Sequence, residues 1–375
     1  MKTKAVVMVE PGEFDVREFE LPEPGPNDVL MRVELNGVCG TDIHINEGGM
    51  DHLDFPILPG HEFAGRVEKL GEDVETDARN EPLAEGDPIT AIPFWQIEED
   101  WYSKHVPTRE VVFEGITGLG LASEASGDVG GMSEYIFLPE DADVFKLPEG
   151  MDPELGALAE PLSIGVRAYE RAAMPGMPDV NEGVGLGSSV AVQGAGPIGL
   201  LTIAAAHAGG SGQIIAIDAI EEHLELAREF GATDTVNITE YDGDAEIVRA
   251  VKDKTDDGRG PTAVIEATGV PASVPQAIEI PHDGGIFVEA GHYAYSGEVE
   301  INPTRIVQKE LTILGSKAAP PSQFRTAVEL LPKLADSMPL DELFNCKVSL
   351  DDVAEAYETQ AAGDAYRATV HPHGV

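Results

Sequence analysis

The 375-residue chain carries 68 Asp and Glu against 24 Lys and Arg, a formal net charge of −44. With no basic patch to neutralise phosphates, nucleic acid is excluded as a partner, and anionic membrane surfaces with it. Two cysteines, Cys39 and Cys346, make no disulfide framework, the N-terminal apolar stretch before Glu10 is too short for a signal-peptide core, and no apolar run approaches the roughly 18 residues that span a bilayer, so a cytoplasmic location is expected.

The acids are spread along the chain, not gathered in a tail. Self-repulsion at this density destabilises the compact state unless salt screens it, and at 1 M salt the Debye length is only about 3 Å. The composition therefore reads as adaptation to a high-salt cytoplasm, that of a halophile. The hydrophobic share of 42% is that of an ordinary globular protein, and the length suffices for two domains.

In chain order, the first part is β-rich. Lys4–Val9, Val29–Leu35 and Phe63–Leu70 are short alternating segments separated by Gly/Pro turns. Residues 94–130 fit no pattern. Helical spacing begins at Pro153–Arg171, where Leu155, Leu158, Leu162 and Val166 recur. From Ser188 onward strands and helices alternate: Leu224–Phe230 reads as a helix stopped by Gly231, and Ala263–Ile265 and Gly285–Ala290 read as strands. Phe324–Leu334 and Asp351–Gln360 are amphipathic helices. The expected organisation is a β-rich domain over 1–160, a nucleotide-binding domain over 161–307 and a return to the first domain over 308–375.

The stretch from Ser189 to Asp218 organises the second domain. An apolar strand leads into Gly194, Gly196 and Gly199 in G-x-G-x-x-G register, with Pro197 and Ile198 opening a helix. A second apolar strand ends in Asp218, nineteen residues after Gly199. This is a βαβ dinucleotide fingerprint: the glycines permit the tight turn, the approach of a pyrophosphate and close helix packing. The helix N-terminus offers free N–H groups to phosphate, and the acid accepts from a ribose 2′-OH. NAD is expected in preference to NADP, because Asp218 would face the 2′-phosphate and Ala219 and Ile220 supply no cation. His223, when protonated, would partly compensate.

A second constellation precedes it. Cys39 lies in G-V-C-G-T-D-I-H, His61 and Glu62 follow in G-H-E, and Glu160 comes in A-E-P. Thiolate, imidazole and carboxylate are the ligand types of a catalytic zinc. Each residue also has a plainer role, as a small buried hydrophobe, a turn residue or a helix N-terminal acid.

Together these motifs resemble the zinc-containing medium-chain dehydrogenase/reductase family, over nearly the whole chain. The sorbitol and threonine dehydrogenase branch is the most similar, since Glu160 stands where classical alcohol dehydrogenases carry a cysteine. The resemblance implies an α/β protein: a GroES-like β-rich catalytic domain plus a Rossmann doubly wound parallel-sheet domain, assembled as a homodimer or homotetramer. It implies zinc at Cys39, His61 and Glu160, with Glu62 coordinating or sitting behind the metal. The expected reaction moves hydride from a secondary alcohol, polyol or sugar hydroxyl, held as a zinc alkoxide, to NAD. Thr41 and His44 match the family's proton relay, or are a loop hydroxyl and a surface histidine. Arg367 matches a basic residue near the cofactor pyrophosphate, or is a surface Arg. His292 follows a strand where nicotinamide would lie, or is a loop histidine.

Many relatives also carry four cysteines, spaced roughly C-x2-C-x2-C-x6/7-C, around a structural zinc. On that spacing the positions here are Ile97, Asp100, Ser103 and Glu110, so no thiolate site can form and one zinc per chain is expected. Two other readings remain open: a metal-free quinone or enone reductase of the same superfamily, and a non-catalytic nucleotide-binding sensor.

Overall fold

The computed structural model describes residues 1–50, 53–96, 116–174, 183–318 and 320–375. Two compact units divide it: Met1–Glu160 with Ala319–Val375, and Pro161–Ala318.

The first unit opens with an antiparallel hairpin of β1 (Lys2–Glu10) and β2 (Glu13–Glu20). Next come β3 (Val29–Gly37), the short helix α1 (Gly40–Asn46) and β4 (Glu62–Leu70). The shorter strands β5 (Pro88–Ala91), β6 (Phe94–Gln96), β7 (Ile116–Gly118), β8 (Tyr135–Leu138) and β9 (Val144–Lys146) complete the N-terminal portion. Alternation along β3 and β4 turns Met31, Val33, Phe63 and Val67 inward, where Ile89, Ile136 and Leu138 meet them in one apolar cluster. A 3-10 stretch, Pro153–Leu158, then leads into helix α2 (Ala159–Ala172). The periodicity over Pro153–Arg171 is thus split between two helix types. Asp152 caps the first, its side chain accepting the Glu154 N–H at 3.0 Å.

The second unit alternates strand and helix: β10 (Ser189–Gln193), α3 (Pro197–Ala208), β11 (Gln213–Asp218), α4 (Glu221–Glu229), β12 (Asp234–Asn237), α5 (Asp244–Asp253), β13 (Ala263–Glu266), α6 (Ser273–Glu279), β14 (Ile286–Glu289), α7 (Pro303–Gln308) and β15 (Thr312–Gly315). The six strands are parallel, in the order β12-β11-β10-β13-β14-β15. β10, β11, β13 and β14 read as near-continuous apolar runs because helices cover both faces of such a sheet. Ala191, Ile215, Val264, Ile278 and Phe287 share its core. The chain travels outward through β11 and β12, then crosses to the other side of β10 at β13. That reversal is the topological switch at which open α/β sheets take ligands.

The sheet includes β15, and the unit runs on to Ala318 rather than stopping at 307 as the sequence suggests. β15 pairs with β14 from Ile286↔Thr312 to Glu289↔Gly315. Four residues are too few for alternation to declare a strand, so its place comes from pairing.

After α8 (Pro321–Ala335), the chain adds β16 (Cys346–Val348), α9 (Val353–Ala361) and β17 (Ala368–Val370) to the first unit. β17 pairs with β3, giving a seven-stranded sheet ordered β16-β17-β3-β4-β5-β9, with β8 also on β3. The architecture is therefore a GroES-like β-rich domain plus a Rossmann-type parallel sheet, as the sequence suggests. Among the described residues no helix is long and apolar enough to cross a membrane.

Candidate active site

Strand register brings the metal-ligand candidates together. Gly37, the last residue of β3, faces Glu62, the first of β4, so Cys39 just past one strand and His61 just before the other become neighbours. One thiol, imidazole and carboxylate atom from Cys39, His61 and Glu62 all lie within 4.8 Å of one another. Cys39 is also the N-cap of α1, and its N–H donates to Asp42 Oδ2 at 2.8 Å. Glu160, at the start of α2, is not in that 4.8 Å set; its carboxyl acts electrostatically on Cys39 and feels His61 and Asp42.

The cluster carries several negative groups in a dry place. His61 is 5% exposed, Glu62 0% and Asp42 1%. Burial is the largest influence on the Cys39 thiol, pushing it up to about 11, with Asp42 and Glu160 adding to the effect. Burial likewise raises the carboxyls of Asp42 and Glu160, although His61 opposes it in both. A divalent cation between these donors would reverse the balance and hold the thiolate. One orphaned atom points the same way: Glu62 Oε1 is buried without a hydrogen-bond partner. The donor types and their proximity fit a zinc site.

Two residues support the donors. Asp42 was not singled out in the sequence, yet its Oδ1 lies 3.8 Å from His61 Nδ1. The available signal is its place three residues after Cys39, where a capping acid reaches back to the N-cap N–H. Arg367 forms a buried ion pair with Glu62. Gly37 makes room for that pair, since a Cβ there would sit 2.5 Å from Glu62 Oε2 and 3.3 Å from Arg367 Cδ. Arg367 is thus not a surface residue; the structure places it behind Glu62.

Thr41 lies half-buried in the first turn of α1, and His44 follows one turn later with its side chain 41% exposed, Nδ1 3.8 Å from Glu47 Oε2. The hydroxyl and the imidazole, three residues apart, share a helix face.

In the second unit, Gly194 takes φ +88°, which favours glycine. Gly199 permits close approach, because a Cβ there would sit 1.8 Å from the Gly194 carbonyl oxygen. Gly196 is the N-cap of α3, followed by Pro197 and half-buried Ile198, and a Cβ at Gly196 would meet nothing within 4 Å. The open space lies over a helix N-terminus. Asp218 ends β11; Oδ2 accepts the Ala195 N–H at 2.6 Å and Oδ1 the Ile220 N–H at 2.9 Å. Burial works to raise this carboxyl, but His223 and those two N–H groups outweigh it and the net shift is downward. His223 Nδ1 stands 3.5 Å from Oδ1.

Cys346 begins β16 as a half-buried free thiol. The cysteine-free stretch with Ile97, Asp100, Ser103 and Glu110 lies outside the described residues.

Comparison with known proteins gives the family. A model described as the alcohol dehydrogenase GroES-like domain matches residues 25–149, and one described as zinc-binding dehydrogenase matches 197–333. The chain is 32% identical over 363 residues to 5-exo-hydroxycamphor dehydrogenase of Pseudomonas putida, covering 96% of each. It is 33% identical over 292 residues to sorbitol dehydrogenase of Homo sapiens, covering 76% of this chain and 74% of the relative. A dehydrogenase structure from Sinorhizobium meliloti 1021 bound to NADP superposes with a TM-score of 0.84 at 30% identity, covering 99% of this chain and 100% of the other. The chain belongs to the zinc-type medium-chain dehydrogenase family.

Proposed function

We propose that the protein oxidises a secondary alcohol, polyol or sugar hydroxyl with NAD as hydride acceptor, using one catalytic zinc. The observation that carries this reading is the convergence of Cys39, His61 and Glu62 within 4.8 Å, backed by Asp42 and Arg367. Relatives named for a hydroxycamphor and for sorbitol support a hydroxyl substrate.

Cys39, His61 and Glu160 would hold the metal, with Glu62 beside it. When bound, zinc acts as a Lewis acid that brings the pKa of a coordinated hydroxyl toward about 7. Asp42 orients the His61 ring and holds the Cys39 backbone, which fixes two ligands through one carboxylate. Thr41 accepts the substrate's hydroxyl proton and passes it on toward the His44 imidazole, whose exposure lets it reach water. NAD, when bound, would take up two electrons as hydride from the carbon bearing the oxygen, and the one proton would leave through Thr41 and His44. Gly194, Gly196, Pro197, Ile198 and Gly199 would receive the pyrophosphate, and Asp218 the adenosine ribose. Arg367 holds Glu62 and balances its charge.

The test is NADH formation on a panel of polyols, aldoses, threonine and simple secondary alcohols, run with the wild type, Cys39→Ser and His61→Ala. The variants should lose turnover by about a thousandfold, the several kcal/mol that metal polarisation supplies, while NADH binding stays intact. Wild-type turnover in either variant would remove the zinc mechanism.

A further inference from the structure

A second cluster of ligating groups lies wholly within the Rossmann-type unit. Glu266 ends β13 and Glu289 ends β14, and the two are direct partners in the parallel register. Side chains at paired positions stand on the same face about 4.8 Å apart, so two carboxylates face each other across the ladder, where like charges repel. Each is half-satisfied. Glu266 Oε1 accepts the Thr268 N–H at 2.7 Å, the Ser273 hydroxyl at 2.9 Å and the Thr268 hydroxyl. Its Oε2 accepts no hydrogen bond, although the residue is 0% exposed. Glu289 Oε1 takes the Gly291 N–H at 3.1 Å and the His292 N–H at 3.2 Å and lies 2.9 Å from His292 Nδ1, whereas its Oε2 is buried with no partner. His292 Nδ1 also stands 3.4 Å from Glu266 Oε2, and its Nε2 is buried with no partner. One ligand atom from each of Glu266, Glu289 and His292 lies within 4.8 Å of the others. Gly291 keeps the space open, since a Cβ there would sit 2.3 Å from Glu266 Oε2. Burial first, and then the Glu266 charge, raise the Glu289 carboxyl despite the opposing His292.

We propose that Glu266, Glu289 and His292 form a second divalent-cation site that shares no residue with the Cys39 cluster and ties the carboxyl ends of β13 and β14 together. Two carboxylate oxygens and one imidazole nitrogen, with no sulfur, suit zinc or manganese over softer ions, and water fills the remaining positions. The cation answers both the facing charges and the orphaned oxygens, and it adds one ion to the zinc counted from the sequence.

The experiment uses the full chain, stripped with chelator, reloaded with Mn2+, dialysed and analysed for bound metal. Wild type, Glu289→Gln, His292→Gln, Cys39→Ser and Cys39→Ser/Glu289→Gln are compared. Glu289→Gln removes one of two repelling charges and keeps the side-chain shape, so its fold should survive even where His292→Gln does not. Glu289→Gln should bind one Mn2+ fewer than wild type, and the double variant one fewer than Cys39→Ser. Mn2+ should also raise the Tm of Cys39→Ser but not of the double variant. Equal metal content with and without Glu289→Gln would overturn the proposal. The Cys39→Ser background keeps this outcome separate from any failure of the catalytic zinc reading.

Discussion

Asp42 reaches toward His61 with one oxygen, 3.8 Å from Nδ1, while its other oxygen accepts the backbone N–H of Cys39 at 2.8 Å. One buried carboxylate thereby positions two proposed metal ligands. Asp42→Asn should weaken zinc binding by about 10–100-fold, the usual cost of removing an outer carboxylate from a histidine ligand. Chelator competition measures it, and NADH affinity should be unchanged. An unaltered zinc affinity would reduce Asp42 to a helix cap.

Two glycines of the fingerprint should respond oppositely to the same substitution. Gly196 has φ −71° and ψ −175°, which any residue adopts, and open space where a Cβ would go. Gly196→Ala should keep the wild-type Tm and lose NADH affinity. Gly199→Ala would drive a methyl into the Gly194 carbonyl, so its Tm should fall by several degrees. Intact NADH binding in Gly196→Ala would place the pyrophosphate elsewhere.

NAD should be used in preference to NADP. A 2′-phosphate about 4 Å from the Asp218 carboxylate costs on the order of 4 kcal/mol at an effective dielectric near 20, before salt screening. His223, 3.5 Å away, narrows the gap when protonated. Asp218→Asn should move the kcat/KM ratio toward NADP by roughly tenfold or more. A wild type that already favours NADP would show that Asp218 does not face the ribose.

Salt should stabilise the fold. With a net charge of −44, repulsion across the surface is long-ranged at low ionic strength and is screened at molar concentrations. The Tm should climb steadily between 0.1 and 2 M KCl. A flat or falling midpoint would contradict adaptation to high salt.

Lys309 should give a pH-dependent stability at the alkaline end. It is 2% exposed, and burial, with Lys252 adding, lowers its amine to about 8. Nζ donates to the Ile278 and Glu279 carbonyls at 2.7 Å each, two acceptors that a neutral amine can still satisfy. The unfolded value is about 10.4, so the folded state sheds its proton first. Stability from this group is therefore full above about 10.4, declines as pH falls toward 8 and is constant below. Lys309→Arg cannot shed its proton, so the wild type should gain about 2 kcal/mol on it between pH 8 and 10. Parallel denaturation curves across that window would show that the amine does not titrate.

The apolar strands β10, β11, β13 and β14 and the glycine fingerprint were legible because a parallel sheet buried on both faces writes continuous hydrophobic runs. Cys39, His61 and Glu62 were legible as types, and the β3–β4 register supplies the reason they meet. What escaped was short or non-local. α1 has only seven residues, too few for periodicity. β15 is a strand by virtue of its partner. The ion pair of Glu62 with Arg367, and the facing of Glu266 and Glu289, depend on pairings that no local pattern announces.

The interleaving of the two units sets an order on assembly. The Rossmann-type unit is one uninterrupted stretch of sequence, and each of its strands finds a partner within that stretch. The other unit is written in two instalments. Its β3 receives β17 through Thr369↔Gly37 and Val370↔Asn36, and Glu62 receives its counter-charge from Arg367, both from the second instalment. In chain order the Rossmann-type unit is therefore complete before β17 and Arg367 are reached, the groups that the earlier Cys39, His61 and Glu62 segment pairs with. The Cys39, His61 and Glu62 cluster, first in the sequence, gains its counter-charge last.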